Sequence, residues 1–228
     1  MKTVVVTGGT QGIGEALVKE FNKNNYQVVC FDIARPNNPI SNVVYEVVDI
    51  RDKKRVNEIA SKYPYIDVLV NNAAKQYIAP LKELKNDEIK EMVEVNVLGT
   101  INVSKAFLKA IKGGLIINVG SVHSSVVRKN KIPYDMSKAA LNMFTKELAL
   151  ELEEDQTRVI CVEFGAVKTP MNSNFDNKQE LESALNKQVI KHLLTSEECA
   201  EMIYALSTDA FKYMNGAIVT YDCGRSLK

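Results

Sequence analysis

Tyr134 and Lys138 stand four residues apart in Tyr134-Asp135-Met136-Ser137-Lys138. In a helix that spacing puts both side chains on one face. A phenol can pass a proton to or from a substrate oxygen, but its ordinary pKa near 10 is too high for that task at neutral pH. An ammonium about 5 Å away, at an effective dielectric of about 20, contributes about 3 kcal/mol, or about two pKa units downward. The pair alone is weak evidence, because nine tyrosines and 23 lysines in 228 residues give about one such spacing by chance. Its position strengthens it. Thirteen residues upstream of Tyr134, the apolar run Leu115-Ile116-Ile117-Asn118-Val119 leads into Gly120-Ser121. A serine just past a strand end lies at the open edge of a sheet, near the start of the helix that carries Tyr134.

A second chemistry is anion binding. Thr7-Gly8-Gly9-Thr10-Gln11-Gly12-Ile13-Gly14 joins an apolar strand to a helix. Glycines at 8, 12 and 14 let a phosphate approach the N–H groups at the helix start, where the dipole favours negative charge. The spacing is neither GxGxxG nor a P-loop, since no Gly-Lys-Ser/Thr follows. Asp32, 24 residues after Gly8, ends the second strand. A carboxylate there accepts hydrogen bonds from ribose hydroxyls and repels a 2′-phosphate. The turn carries Gln11 and no basic residue, and Arg35 is the one cation nearby. These residues favour NAD over NADP. Without a ligand, the same residues would be a glycine-rich βα turn and a turn aspartate.

The elements that must position these groups alternate. Strands are expected at Thr3–Thr7, Gln27–Asp32, Val43–Asp49, Asp67–Asn71, Leu115–Val119, Arg158–Phe164 and Ala217–Tyr221. Helices are expected at Ile13–Asn24, Lys53–Lys62, Asp87–Ile111, Tyr134–Glu153 and Ser196–Thr208. Several strands are apolar without strict alternation, which suits a sheet covered on both faces. The rhythm predicts an α/β fold: one doubly wound parallel sheet of about seven strands in a single domain over 1–228. The polar stretch Met171–Leu194, weakly helical around Gln179–Asn186, breaks it and is expected to be a lid over the carboxyl ends of the strands.

Composition closes off other classes. Apolar residues make up 46% and charged residues 25%, as in an ordinary globular protein, and a net charge of +1 gives no electrostatic reason to bind nucleic acid or an anionic membrane. No apolar run reaches the ~18 residues of a membrane span, and the N-terminal run is too short for a secretory signal. Cys30, Cys161, Cys199 and Cys223 form no CxxC pair and are expected to be buried reduced thiols in a cytoplasmic protein. With only His123 and His192, a histidine-based metal site is constrained, and no metal is expected.

Over about residues 3–170 the chain resembles the short-chain dehydrogenase/reductase family. The family's TGxxxGIG turn matches Thr7-Gly8 through Gly12-Ile13-Gly14. Its NNAG strand end matches Asn71-Asn72-Ala73-Ala74, with Ala74 for glycine. Its helix-four asparagine matches Asn96, its serine Ser121, and its YxxSK Tyr134 to Lys138. The resemblance implies a Rossmann-like oxidoreductase that moves a hydride between nicotinamide and a carbonyl or secondary alcohol. Tyr134 would be general acid and base, Lys138 its ammonium partner and a ribose ligand. Ser121 would orient the substrate oxygen, and Asn96 would hold a relay water. The cofactor would lie along Gly8, Gln11, Gly12, Ile13, Gly14, Asp32, Asp49, Ile50, Asn72, Ala73, Ala74, Tyr134, Lys138, Val167 and Thr169. Phe164-Gly165 replaces the usual Pro-Gly, which removes a fixed φ and no reactive group. A homodimer or homotetramer is implied, with Ala139, Ala140, Met143, Phe144 and Leu148 offered to a partner copy. The alternatives are an NADP-dependent reductase in which Arg35 reads the phosphate, a non-catalytic nucleotide sensor, and a methyltransferase of similar topology. His123 is expected to be a solvated loop residue, and His192, Lys187 and Lys191 a solvated basic face.

Overall fold

The computed structural model describes the backbone of residues 1–228 and every side chain except those of residues 173 and 174. In chain order the elements are β1 (Thr3–Thr7), α1 (Gly12–Lys23), β2 (Gln27–Asp32), β3 (Val43–Val47), α2 (Lys53–Ala60), β4 (Val68–Asn71), α3 (Asn86–Val93), α4 (Thr100–Phe107), β5 (Leu115–Ser121), α5 (Ile132–Glu151), β6 (Arg158–Phe164), α6 (Lys178–Asn186), α7 (Ser196–Leu206) and β7 (Ile218–Tyr221). The seven strands form one parallel sheet in the order β3-β2-β1-β4-β5-β6-β7. The chain winds outward from β1 in one direction and from β4 in the other. The crevice between those two carboxyl ends is the topological switch point, where ligands of such sheets bind.

Alternation along the strands divides the core into two layers. Val4, Val6, Val28 and Ile117 pack with Leu17 and Phe21 of α1 and Cys199 and Ile203 of α7. Their neighbours Val5, Val29, Phe31 and Ile116 pack with Ile59 of α2, Phe107 of α4 and Leu148 of α5. Both faces of the sheet are thereby covered, which is why β1 is buried at every position. Leu148 belongs to this core, whereas Ala139, Ala140 and Met143 are exposed on the same helix and Phe144 is half-buried.

Three expected elements differ. The predicted helix Asp87–Ile111 is α3 and α4 joined by a π-helical turn, Glu94–Gly99. Gly99 at its end lets Ile50 pack close, since a Cβ there would come within 2.6 Å of the Ile50 side chain. β3 stops at Val47, because Asp49 turns its carboxylate onto the N–H and guanidinium of Arg51. β5 continues to Ser121, so the serine is the last residue of the strand rather than lying just past it.

The excursion after β6 is a short 3-10 segment, Pro170–Asp176, and then α6, whose first N–H groups are capped by Asn177 Oδ1. Its two ends are joined: Val167 bridges Leu194, with Lys168 N donating to Leu194 O at 2.8 Å and Leu194 N to Ala166 O at 3.1 Å. All four cysteines are free; Cys30, Cys161 and Cys199 are buried, while Cys223, beyond β7, is half-buried rather than buried as expected. Among the described residues no helix is long and apolar enough to cross a membrane.

Candidate active site

The carboxyl ends of β1, β2, β4, β5 and β6 open into a cleft of about 400 Å³. It is lined by Ser121, Tyr134, Lys138 and every residue expected to hold the cofactor; Asn96 lies behind it.

At one end the glycine turn is held from three sides. Gly8 and Gly12 have φ of 68° and 55°, conformations costly for other residues. Gly8 N donates to Phe31 O at 2.7 Å. Asn72 Nδ2 donates to Thr7 O and Gly8 O, while Thr7 Oγ1 accepts from the N–H groups of Asn72 and Ala73. Asp32 Oδ2 accepts from Thr10 N at 3.0 Å and Thr10 Oγ1 at 2.8 Å. Asp32 is therefore a turn anchor, as its ligand-free reading anticipates, and its Oδ1 retains only a long contact, 3.4 Å from Ala34 N. Gln11 begins α1 without a side-chain cap, which leaves the first N–H groups of the helix to a ligand. A dinucleotide pyrophosphate fits such a cradle. A Cβ on Gly14 would sit 1.9 Å from Gly8 O and 2.7 Å from Asn72 Nδ2. Gly14→Ala is accordingly expected to lower Tm by about 5 °C or more, measured by differential scanning fluorimetry. An unchanged Tm would contradict this packing.

At the other end Tyr134 is 8% exposed and Lys138 3% exposed. Pro133 sets the first turn of α5, and Lys138 Nζ lies 5.6 Å from the Tyr134 ring centre. Lys138 Nζ donates to Val119 O at 2.7 Å. Ser121, the third buried polar group here, accepts from His123 N at 3.2 Å. The expected lowering of the phenol is not found. Burial pushes Tyr134 up to about 12, with Ser121 pulling down and Asp135 pushing up. Burial also pushes Lys138 down to about 8. Desolvation of the charged form is the largest cause for both groups, and it is a cost that spacing along the chain does not reveal.

Asn96, 1% exposed in the π-helical turn, is a clamp. Its Oδ1 accepts from Lys75 N at 2.7 Å, and its Nδ2 donates to Lys75 O and Ser137 Oγ. It ties the loop after β4 to the helix that bears Tyr134. His123 is half-buried rather than solvated. Its Nδ1 donates to Val126 O at 2.8 Å, and burial drives it down to about 4, so the ring is neutral. Of the basic lid residues, His192 pairs with Glu198, Lys191 caps main-chain carbonyls, and only Lys187 lines the cleft.

Sequence reasoning missed Lys131, Arg128, Gln76 and Arg225, all of which line the cleft. Lys131 stands three residues before Tyr134, a spacing that could have marked it as sharing that face.

A doubly wound sheet with a phosphate cradle at its switch point and a buried Ser, Tyr and Lys beside it defines a nucleotide-dependent oxidoreductase. The short chain dehydrogenase model matches residues 2–180, and the chain belongs to that family. It is 30% identical to a 3-oxoacyl-[acyl-carrier-protein] reductase of Thermotoga maritima, across 98% of this chain and 97% of that protein. Among solved structures it is similar to a 3-ketoacyl-(acyl-carrier-protein) reductase of Brucella melitensis complexed with NADH, at a TM-score of 0.90 and 25% identity over 99% and 98% of the two chains. It is also similar to ElxO with NADP bound, at a TM-score of 0.90 and 27% identity over 100% and 99%.

Proposed function

We propose that this chain transfers a hydride between NAD and a carbonyl or secondary alcohol, with Tyr134 as proton donor in reduction and proton acceptor in oxidation. One observation carries the reading: Ser121, Tyr134 and Lys138 converge in the same cleft as the glycine turn and Asp32. A bound nicotinamide cofactor supplies or accepts the hydride. Tyr134, held up at about 12, keeps its proton through the neutral range and is a donor at rest. Lys138 remains protonated at pH 7 and favours the phenolate left after donation. Ser121 Oγ aligns the substrate oxygen. Asn96 fixes the helix through Ser137 Oγ and would hold a relay water. Ile13, Asp49, Ile50, Ala74, Val167 and Thr169 line the cofactor groove, and segment 171–194 is its lid, with Glu180, Ser183, Ala184 and Lys187 facing the cleft.

The preference for NAD rests on Asp32. Arg35 does not line the cleft, and Arg51, which does, is held by Asp49 at 2.6 Å and lies 3.8 Å from Glu91 and 4.0 Å from Glu94. No free cation then awaits a 2′-phosphate among the described residues of the turn. Fluorescence titration should give NADH a Kd about 10-fold or more below that of NADPH, a preference that Asp32→Ala abolishes. Tighter NADPH binding to the native chain would reverse the assignment.

The exposed Met136, Ala139, Ala140 and Met143 of α5 form an apolar strip suited to a second copy of the chain, which supports a homodimer or homotetramer. Free thiols throughout suit the cytoplasm.

A further inference from the structure

Resting on the oxidoreductase reading, we propose that the substrate carries a carboxylate a few bonds from its reacting carbon, and that Lys131, with Gln76 beside it, is the group that binds it.

Lys131 precedes α5, yet its side chain is not solvated. It is 4% exposed, with Nζ 5.3 Å from the Tyr134 ring centre and in the lining of the cleft. Its hydrogen-bond acceptor is neutral: Nζ donates to Gln76 Oε1 at 2.8 Å. Among the described residues no carboxylate lies within 4.0 Å of it. A buried ammonium without a counter-ion is destabilising, and a ligand's negative charge offsets that cost. Burial and Arg128 move Lys131 down to about 8, so it still carries its proton at neutral pH.

The carboxylates nearby do not fill the role. Asp135 faces His123, with Oδ1 3.8 Å from Nδ1, and that oxygen has no hydrogen-bond partner. Burial raises Asp135 to about 6, so it is still mostly ionised at pH 7 and pulls Lys131 up, but by less than burial and Arg128 push it down. Glu180 is taken by Arg128 at 3.4 Å. The remaining field is positive: Arg128, Lys131 and Arg225 all act on His123 between them, and His123 itself is neutral. A single buried ammonium beside an amide matches a monoanion. Gln76 Nε2, which donates to nothing among the described residues, can serve the second carboxylate oxygen. The nearness of Nζ to the Tyr134 ring sets the anion close to the carbon whose oxygen Tyr134 would protonate.

The test uses the full chain with NAD and matched probes: short 2- and 3-hydroxy acids against their methyl esters. The ratio of kcat/KM for acid over ester should exceed about 10 in the native chain. It should fall about 10-fold or more in Lys131→Met, through KM, and recover in Lys131→Arg. A second readout needs no turnover. Butanoate should quench the fluorescence of the NADH complex with a Kd about 10-fold below that of butanamide, and Lys131→Met should erase the difference. Esters used as well as acids, equal losses for acid and ester in Lys131→Met, or equal binding of the amide would each overturn the proposal. Turnover of neutral alcohols alone would sink it and leave the oxidoreductase reading standing. Lys131-dependent butanoate binding with no turnover of any probe would keep the anion site and remove that reading instead.

Discussion

Tyr134→Phe is expected to lower kcat by about 10³-fold while leaving the Kd for NADH within about 3-fold of the native value. The substitution removes one oxygen and keeps the ring, which packs against Leu84 and Met92. The dinucleotide cradle, built from β1, β2 and β4, is untouched. What disappears is the phenol proton, held at neutral pH because burial pushes Tyr134 up to about 12. Lys138 is a proton carrier in principle, but it is turned to Val119 O. Single-turnover measurements with saturating cofactor would separate the two effects. A variant that retained a tenth of native turnover would show that the proton travels by another route.

Lys138→Met should reduce kcat/KM by about 10³-fold and also weaken NADH binding by about 10-fold or more, because the proposed roles give one ammonium both the phenolate and the ribose. The free variant should nevertheless be no less stable than the native chain. Lys138 is held down at about 8 from 10.5, so at pH 7 the folded state carries a buried charge that costs about 3 kcal/mol. Losing the donor to Val119 O costs only about 1 kcal/mol. Between pH 8 and 10.5 the unfolded lysine is protonated and the folded one is not, so this group raises native stability as pH rises through that window. The Tm advantage of Lys138→Met should therefore be largest near pH 7 and shrink by pH 9.5. A variant that melts well below native at pH 7 would show that the charge is offset inside the fold.

The layout of the sheet was legible because its central strands are uninterrupted apolar runs, as Val4-Val5-Val6 and Leu115-Ile116-Ile117 illustrate. The cradle was legible because Gly8, Gly12 and Gly14 have backbone angles or neighbours that exclude a side chain. The π-helical turn at Glu94–Gly99 was not, since the apolar period runs through it with no proline to mark it. The pKa of Tyr134 went the wrong way because charge spacing is written in the sequence and desolvation is not. Lys131 was hidden for a similar reason. The three-residue spacing from Lys131 to Tyr134 puts the two on one face, but nothing in Arg128-Lys129-Asn130-Lys131 says that Lys131 is the one buried against the ring.

The bridge between Val167 and Leu194 has a consequence for how such a chain can diversify. Everything between those two residues leaves the sheet and returns to the same point, where two main-chain hydrogen bonds fix it. The intervening stretch behaves as a closed cassette: its entropy of closure changes by only about 0.6 kcal/mol for each doubling in length. Its sequence, and even its size, can be exchanged where the graft keeps the N–H groups that Val189 and Ile190 donate to Cys223 O, beyond β7. Grafting a relative's stretch between residues 171 and 194 would then change what covers the cleft while Ser121, Lys131, Tyr134, Lys138 and Thr169 stayed in place.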